Sequence, residues 1–370
     1  MVKLSAAAFI ETNPDVSKAL FNATATIDES KLEKNEILIT ALALPINPSD
    51  IFQVQGSYKT PILKQKLGND PDEAEVAVGG NEGLFRITAV GSQDLGYAVG
   101  DWVILKLTSF GTWRSHAIVR VTEDNKDPLI VVSGDSGKIS IDDASTISTN
   151  PSTAYQLINN YIKDWNAGEW IITNAGNSFV SKYLFQLARY YKLNTLAIIR
   201  KKSEEHFKDT ANELLSLGAT KVISDKEFEE SSFVTEKLPQ IVGNDPIRLA
   251  LDSLGGPTTP NLVASLSPDN YFVNYGGLAG GFVSFDPRVQ LAKNVTLKSY
   301  WLTRNTRNNP QSKVETVKAL IKLFEEGVFG PVKYNKVPFK AGDNLRDIFV
   351  QAIQNSSTGK QVVTFEEHFP

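Results

Sequence analysis

Residues 169–182 run from an apolar strand through a small-residue turn, Asn174-Ala175-Gly176-Asn177-Ser178, into a helix start. A turn of this kind aims backbone N–H groups and the positive end of the helix dipole at a phosphate. The next apolar run, 194–199, is followed directly by Arg200, Lys201 and Lys202. An NAD site would offer Asp or Glu to the ribose hydroxyls there, whereas three cations suit a 2′-phosphate. The interval from turn to cations is close to the roughly 20 residues that such βαβ units use. The cofactor these residues point to is NADP(H). The loop is not a three-glycine fingerprint, because Ser181 stands where the last Gly is usual and Asn177 and Ser178 fill the middle. An ordinary strand-to-helix turn at Gly176 and a solvated helix start at 200–202 are the alternatives.

The elements that must position such a site follow from the patterning. A chain of 370 residues exceeds what one core usually covers, and 41% apolar residues can fill two, so two domains of a soluble globular protein are expected. The first 150 or so residues are strand-rich, with turn signals at Asn13-Pro14, Asn47-Pro48, Gly79-Gly80, Gly91, Gly100-Asp101 and Gly134. Glu36 to Leu42 and Trp102 to Leu105 read as strands of a mostly β domain. From Pro151 the pattern changes to alternating strand and helix, with strands at 170–174, 194–199, 220–224, 247–252, 270–275 and 295–301. Helices are expected at 179–191, 203–217 and 313–326. The fold class is α/β, a doubly wound parallel (Rossmann) sheet with its ligand crevice at the carboxyl ends of the strands. Residues 341–365 read as helix then strand, too short to fold alone, and are expected to rejoin the first domain and make it discontinuous. The boundaries drawn are 1–150 with 335–370, and 151–334, and the cleft between domains is the expected site.

Composition excludes several function classes. A net charge of −4 and a pI near 5.6 provide no general basic field, so nucleic acid is not an expected partner and an anion site must be local. No apolar run reaches the roughly 18 residues of a membrane span. The first ten residues read as a strand rather than a signal peptide, and no Arg-rich amphipathic leader precedes it. With no cysteine, and with His116, His206 and His368 scattered, neither a disulfide framework nor a zinc site is expected, which argues against metal-assisted alcohol oxidation. The acidic segment 69–75 reads as a solvated loop.

Further motifs carry a resemblance. Ile46-Asn47-Pro48-Ser49-Asp50, Gln55-Gly56-Ser57-Tyr58, Gly80-Asn81-Glu82-Gly83-Leu84-Phe85, Val90-Gly91 and Gly100-Asp101-Trp102-Val103 are similar to the medium-chain dehydrogenase/reductase superfamily. With Asn150-Pro151-Ser152-Thr153, Leu251-Asp252-Ser253, Asn274-Tyr275-Gly276-Gly277 and Gly359-Lys360-Gln361, the chain resembles fungal mitochondrial 2-enoyl thioester reductases over nearly its whole length.

That resemblance implies a GroES-like catalytic domain beside the Rossmann domain, a homodimer, and zinc-free, NADPH-dependent reduction of enoyl-CoA or enoyl-[acyl-carrier-protein] in fatty acid synthesis. In such chemistry a hydride reaches the β-carbon, charge gathers on the thioester oxygen, and a proton reaches the α-carbon. Donors fixed at that oxygen act where charge develops. The family's catalytic tyrosine falls at Tyr58, whose phenol can donate a proton or a hydrogen bond. By position the cofactor contacts are Asn150; Asn177, Ser178, Phe179 and Val180; Arg200, Lys201 and Lys202; Tyr275, Gly276, Gly277 and Leu278; Tyr300, Trp301 and Leu302; and Lys360. Family members usually continue with Pro after the tyrosine, whereas Lys59-Thr60-Pro61 follows here. Phe52, Phe85, Phe110 and Trp113 are either acyl-pocket lining or core. The same architecture houses quinone and enone or alkenal reductases, and a non-catalytic cofactor-binding regulator is the reading from a different class. The family implies the mitochondrial matrix, with the cytoplasm as the alternative.

Overall fold

The computed structural model describes residues 1–133, 139–340 and 342–366. The turn expected at Gly134, the first residue of the segment expected at 341–365, and His368 lie outside the described residues. The chain divides into two compact units, one formed by Met1–Thr149, Thr306–Glu325 and the chain from Lys333 onward, the other by Asn150–Asn305 and Glu326–Val332.

In the second unit six parallel strands lie in the order Lys221–Ser224, Asn194–Ile199, Trp170–Thr173, Ile247–Asp252, Tyr271–Asn274, Thr296–Ser299. Counted along the chain this is the Rossmann order, and it reverses between Trp170–Thr173 and Ile247–Asp252. Every residue of Trp170–Thr173 is buried, as a strand covered by helices on both faces requires. The helix Phe179–Tyr190 buries a run from Ser181 to Ala188 and lies deep, whereas Glu204–Ser216 buries only Leu214 and lies outside. Both start at a serine: Ser178 accepts from the Ser181 amide and Ser203 from the His206 amide. The last strand, Thr296–Ser299, is exposed at all four positions and forms the edge of the sheet.

The first unit is mostly β. One sheet runs Asn335–Phe339, Gln361–Phe365, Glu36–Pro45, Leu84–Val90, Trp102–Leu105, Leu129–Val131, with His116–Arg120 also paired to Glu36–Pro45. A second runs Phe21–Ile27, Val2–Phe9, Val76–Val78, Lys64–Gln65. Glu36–Pro45 is buried at all ten positions because strands flank it on both edges and both of its faces are covered. The C-terminal strand pairs Val362 with Pro45 and Thr364 with Ala43, so this unit is discontinuous in sequence. Phe85 and Trp113 are fully buried, and Trp113 stacks on Phe349 with centroids 4.6 Å apart. These two rings are core rather than pocket lining. Phe110 lies under the Arg114 guanidinium, 4.4 Å from its ring centroid, and Phe52 is 37% exposed.

One element departs from the boundaries read off the sequence. The helix Pro310–Glu325 groups with the first unit instead of the second. Its Lys313 is 2% exposed and donates to the Leu105 carbonyl at 2.8 Å. Burial pushes this ammonium down to about 8, and Glu82 opposes the shift. A cation buried against the end of a strand of the first unit ties the helix there, and its amphipathic pattern alone does not show which sheet it will meet.

His116 opens the strand His116–Arg120 at 1% exposure, and burial pushes its imidazole down to about 4. Between that value and the unfolded value of about 6.5 the unfolded chain binds a proton that the folded chain does not, so stability falls as pH drops through the window. One proton corresponds to about 1.4 kcal/mol per pH unit. Asp50 and Glu82 are displaced upward by burial and act with the opposite sign, but a His116→Gln variant keeps both. Thermal melts at pH 7 and pH 5 should show a smaller acid-induced loss in His116→Gln than in the wild type. Equal losses would mean that His116 takes up its proton in the fold as readily as in the unfolded chain.

Candidate active site

The nucleotide turn sits where the first strand of the parallel sheet ends. Ala175 adopts φ 50, and the Gly176 amide donates to Ile198 O at 2.9 Å. A Cβ on Gly176 would stand 3.0 Å from Ala197 Cβ and Ile199 Cγ2 and 3.1 Å from Ile198 O, so a side chain there would have to push the neighbouring strand away by a few tenths of an ångström. Ser178 Oγ accepts from the Ser181 amide at 3.2 Å, and Ser181 Oγ donates to Ala175 O at 3.1 Å. Ser181, in place of the usual last glycine, therefore binds the turn to itself. Asn177 is exposed and Ser178, Phe179 and Val180 are half-buried, at the positive end of the helix that follows.

Behind the turn, buried Asn174 donates to Asp252 Oδ1 at 2.7 Å and Thr258 Oγ1 at 3.0 Å, and accepts from the Ser253 amide at 2.8 Å. Asp252 also accepts from Leu254 N, Gly255 N and Thr259 Oγ1 at 2.8–3.0 Å. This pair locks the ends of the two strands at the reversal. Tyr275 donates its amide to Asp252 O at 2.8 Å. Burial raises its phenol, and hydrogen bonding with the hydroxyls of Ser253, Ser181, Thr173 and Ser178 opposes the rise. A Cβ on Gly276 would meet Ser253 O at 2.8 Å, while Gly277 and Leu278 are exposed. Buried Tyr300 donates its hydroxyl to Gln156 Oε1 at 3.0 Å on the helix that Asn150 begins. Trp301 and Leu302 follow, half-buried, at the start of Leu302–Asn308.

Arg200, Lys201 and Lys202 are all exposed at the end of the second strand. Asp225 Oδ1 accepts from Lys201 N at 3.2 Å, and the Lys201 ammonium pairs with Glu204 and lies 6.0 Å from the Phe207 ring centroid. No ion pair involves Arg200 or Lys202 among the described residues. The structure thereby divides the triplet into one committed cation and two available ones.

Tyr58 and Lys360 belong to the first unit. Tyr58, half-buried, follows the helix Pro48–Val54, and both it and Ser57 donate their amides to Phe52 O at 3.0 and 2.9 Å. Lys360 is buried, its ammonium donating to Asn47 Oδ1 and standing 4.0 Å from Glu82 Oε2. Asn47 Nδ2 donates to the same Glu82 oxygen at 2.8 Å, and Ser148 Oγ to the other at 3.2 Å. Burial pushes Glu82 up and Lys360 down, and each opposes the other's displacement. Asp50 accepts from Asn47 N at 2.7 Å and from Asn81 N and Nδ2 at 2.9 and 2.8 Å. The reading of single motifs did not single out Asp50, Gln53, Asn81, Glu82 or the Asn174–Asp252 pair as site residues. The spacing of Asn47 and Asp50, an N-cap with an acid three residues on, is the signal that would have found the first of them.

A Rossmann-ordered sheet with a cationic triplet after its second strand, in one chain with a discontinuous and mostly β unit, defines the medium-chain dehydrogenase/reductase class. No family model matches the chain. Enoyl-[acyl-carrier-protein] reductase 1, mitochondrial, of Debaryomyces hansenii is 41% identical over 381 residues, covering 99% of this chain and 100% of that protein. The chain belongs to the fungal mitochondrial enoyl-[acyl-carrier-protein] reductases. The solved Etr1p/NADP/crotonyl-CoA complex matches it with a TM-score of 0.89 at 29% identity, over 98% of this chain and 100% of that one. The mitochondrial 2-enoyl thioester reductase Etr1p/Etr2p heterodimer from Candida tropicalis matches with the same TM-score of 0.89, identity of 29% and coverage of 98% and 100%.

Proposed function

We propose that this protein is a mitochondrial, NADPH-dependent 2-enoyl thioester reductase that converts enoyl-CoA or enoyl-[acyl-carrier-protein] to the saturated acyl thioester in fatty acid synthesis. The observation that carries the reading is the pair of exposed cations, Arg200 and Lys202, at the second strand of a Rossmann-ordered sheet, in a chain 41% identical over its length to a mitochondrial enoyl reductase. On this reading the catalytic part, drawn from the sequence as 1–150 with 335–370, also takes the helix Pro310–Glu325, and the remainder of 151–334 is the cofactor-binding part.

The residues present fit the dinucleotide: a turn whose glycine lies tight against the neighbouring strand, a helix N-terminus, and two cations without an ion-pair partner among the described residues. Asn177, Ser178, Phe179 and Val180 would hold the pyrophosphate. Arg200 and Lys202 would hold the 2′-phosphate, with Lys201 restrained by Glu204 and Asp225. Asn150, Tyr275, Gly276, Gly277, Leu278, Tyr300, Trp301 and Leu302 would line the ribose and nicotinamide. Lys360 has three donors, of which Asn47 takes one, so it can serve the cofactor while Glu82 balances its charge. When bound, NADPH supplies a hydride to the β-carbon of the enoyl thioester. Tyr58 holds a proton on its phenol, stabilises the negative charge that develops on the thioester oxygen, and delivers that proton to the α-carbon. The substrate gains one hydride and one proton, and Tyr58 is reprotonated from solvent.

The open edge at Thr296–Ser299 fits a second copy of this chain. An edge strand presents unpaired N–H and C=O groups, and Leu297, Leu291 and Phe282 are 38%, 78% and 89% exposed nearby in the sequence. Two copies pairing edge to edge would satisfy both rows at once.

Three outcomes check these readings. Tyr58→Phe is expected to lower kcat for crotonyl-CoA about 100-fold or more with the NADPH KM unchanged, and turnover of a quinone alone by the wild type would overturn the substrate class. Arg200→Ala with Lys202→Ala should raise the NADPH KM about tenfold or more while leaving that for NADH within about twofold; equal changes would remove the 2′-phosphate role. In sedimentation, Leu297→Lys should shift the protein from dimer to monomer, and a wild-type monomer at micromolar concentration would exclude the edge-paired copy.

A further inference from the structure

Tyr58 lies in an irregular stretch between the helix Pro48–Val54 and the short strand Lys64–Gln65, flanked by exposed Ser57 and Lys59. Backbone bonds hold its N-terminal side, through the Ser57 and Tyr58 amides on Phe52 O. On its C-terminal side the Thr60 amide returns to Tyr58 O at 2.8 Å, a turn that carries the tyrosine without anchoring it. The anchor is a side chain: Gln53 Nε2 donates to Thr60 Oγ1 at 3.2 Å, from the helix position next to Phe52.

Gln53 is 4% exposed, and its amide has only one orientation that the neighbours accept. The Ser109 backbone N–H, a donor only, points at Asn81 Oδ1 at 2.8 Å, which makes the other Asn81 atom the amide nitrogen. That nitrogen donates to Asp50 Oδ1 at 2.8 Å and to Gln53 Oε1 at 2.9 Å. With its oxygen so engaged, Gln53 must turn its NH2 group to Thr60 Oγ1, with Ser109 Oγ at 3.5 Å. A chain of fixed donors and acceptors therefore runs from Ser109 and buried Asp50, through Asn81 and Gln53, to the second residue after Tyr58.

We propose that Gln53, acting through Thr60, is a positioning residue for Tyr58: it clamps the C-terminal side of the loop so that the phenol is held where the α-carbon must be protonated. The inference rests on the reading of Tyr58 as proton donor. The loop has little apolar burial on this side, with residues 61–64 all exposed, and the hydrogen bond at Thr60 ties it to the helix. Misplacing a reacting group by about 1 Å costs on the order of 100-fold in rate.

The test is steady-state kinetics with crotonyl-CoA and NADPH on Gln53→Ala, Thr60→Val and Thr60→Ser, each also in a Tyr58→Phe background. Gln53→Ala and Thr60→Val should lower kcat by about 10- to 100-fold with the NADPH KM unchanged, and Thr60→Ser should restore at least about a third of wild-type kcat. Thr60 is half-buried, so Thr60→Val tests the clamp without emptying the core if Gln53→Ala fails to fold. In the Tyr58→Phe background neither change should lower kcat by more than about twofold, because the group they position is gone. Full multiplication of the losses, or wild-type kcat in Thr60→Val, would overturn the clamp. Unchanged turnover in Tyr58→Phe alone would instead remove the proton-donor reading beneath it, so the two failures are distinguishable.

Discussion

A buried carboxylate must collect donors, and each of the two units is built around one that does. Asp252, fully buried, gathers the Asn174 amide, two backbone N–H groups and the Thr259 hydroxyl. Asp50, equally buried, gathers Asn47 N and both Asn81 donors. An ionised group left without such partners would cost several kcal/mol. Each aspartate therefore dictates the course of the chain around it. One brings the first and fourth strands of the parallel sheet to a common end. The other orients the helix that leads to Tyr58.

Charge is managed locally rather than by the net balance of the chain. A protein with a net charge of −4 keeps Arg200 and Lys202 exposed, while Lys201 is drawn to Glu204. In the first unit two ammoniums, Lys360 and Lys313, are buried within reach of Glu82's field, and that carboxylate opposes the loss of charge on each. A surface pair such as Lys201–Glu204 is worth little in stability, but it decides which cations remain to meet a phosphate. The buried group around Glu82 instead fixes geometry, since removing any one member would leave another unsatisfied.

Enoyl reduction asks for little chemistry from the protein beyond placement and one proton. The proposed division of labour suits that demand. The parallel sheet supplies a rigid rim of turns whose backbone carries the dinucleotide contacts, and the β unit supplies a phenol on a short loop. Tyr275 occupies a place that the family pattern assigns to the cofactor, and burial raises its phenol while the hydroxyls of Ser253, Ser181, Thr173 and Ser178 oppose the rise.

Much of this was legible from residue order. The inner strands of the second unit and the discontinuity of the first follow from apolar runs and turn residues, because burial on two faces leaves a strand no polar side; the exposed edge strand Thr296–Ser299 is marked by its place in the alternation instead. Gly176, the Arg200 to Lys202 triplet and the Asn47–Asp50 cap are local signals, set by the sterics and charge of residues close in sequence. Residue order alone did not decide that Phe85 and Trp113 are core, that the helix Pro310–Glu325 belongs to the first unit, or that Gln53 reaches Thr60 by way of Asn81. Those outcomes depend on partners such as Leu105 for Lys313 or Phe349 for Trp113, far away along the chain. Local sequence states what a side chain can bond, whereas only the folded chain, which must satisfy every buried donor and acceptor together, selects the partner it has.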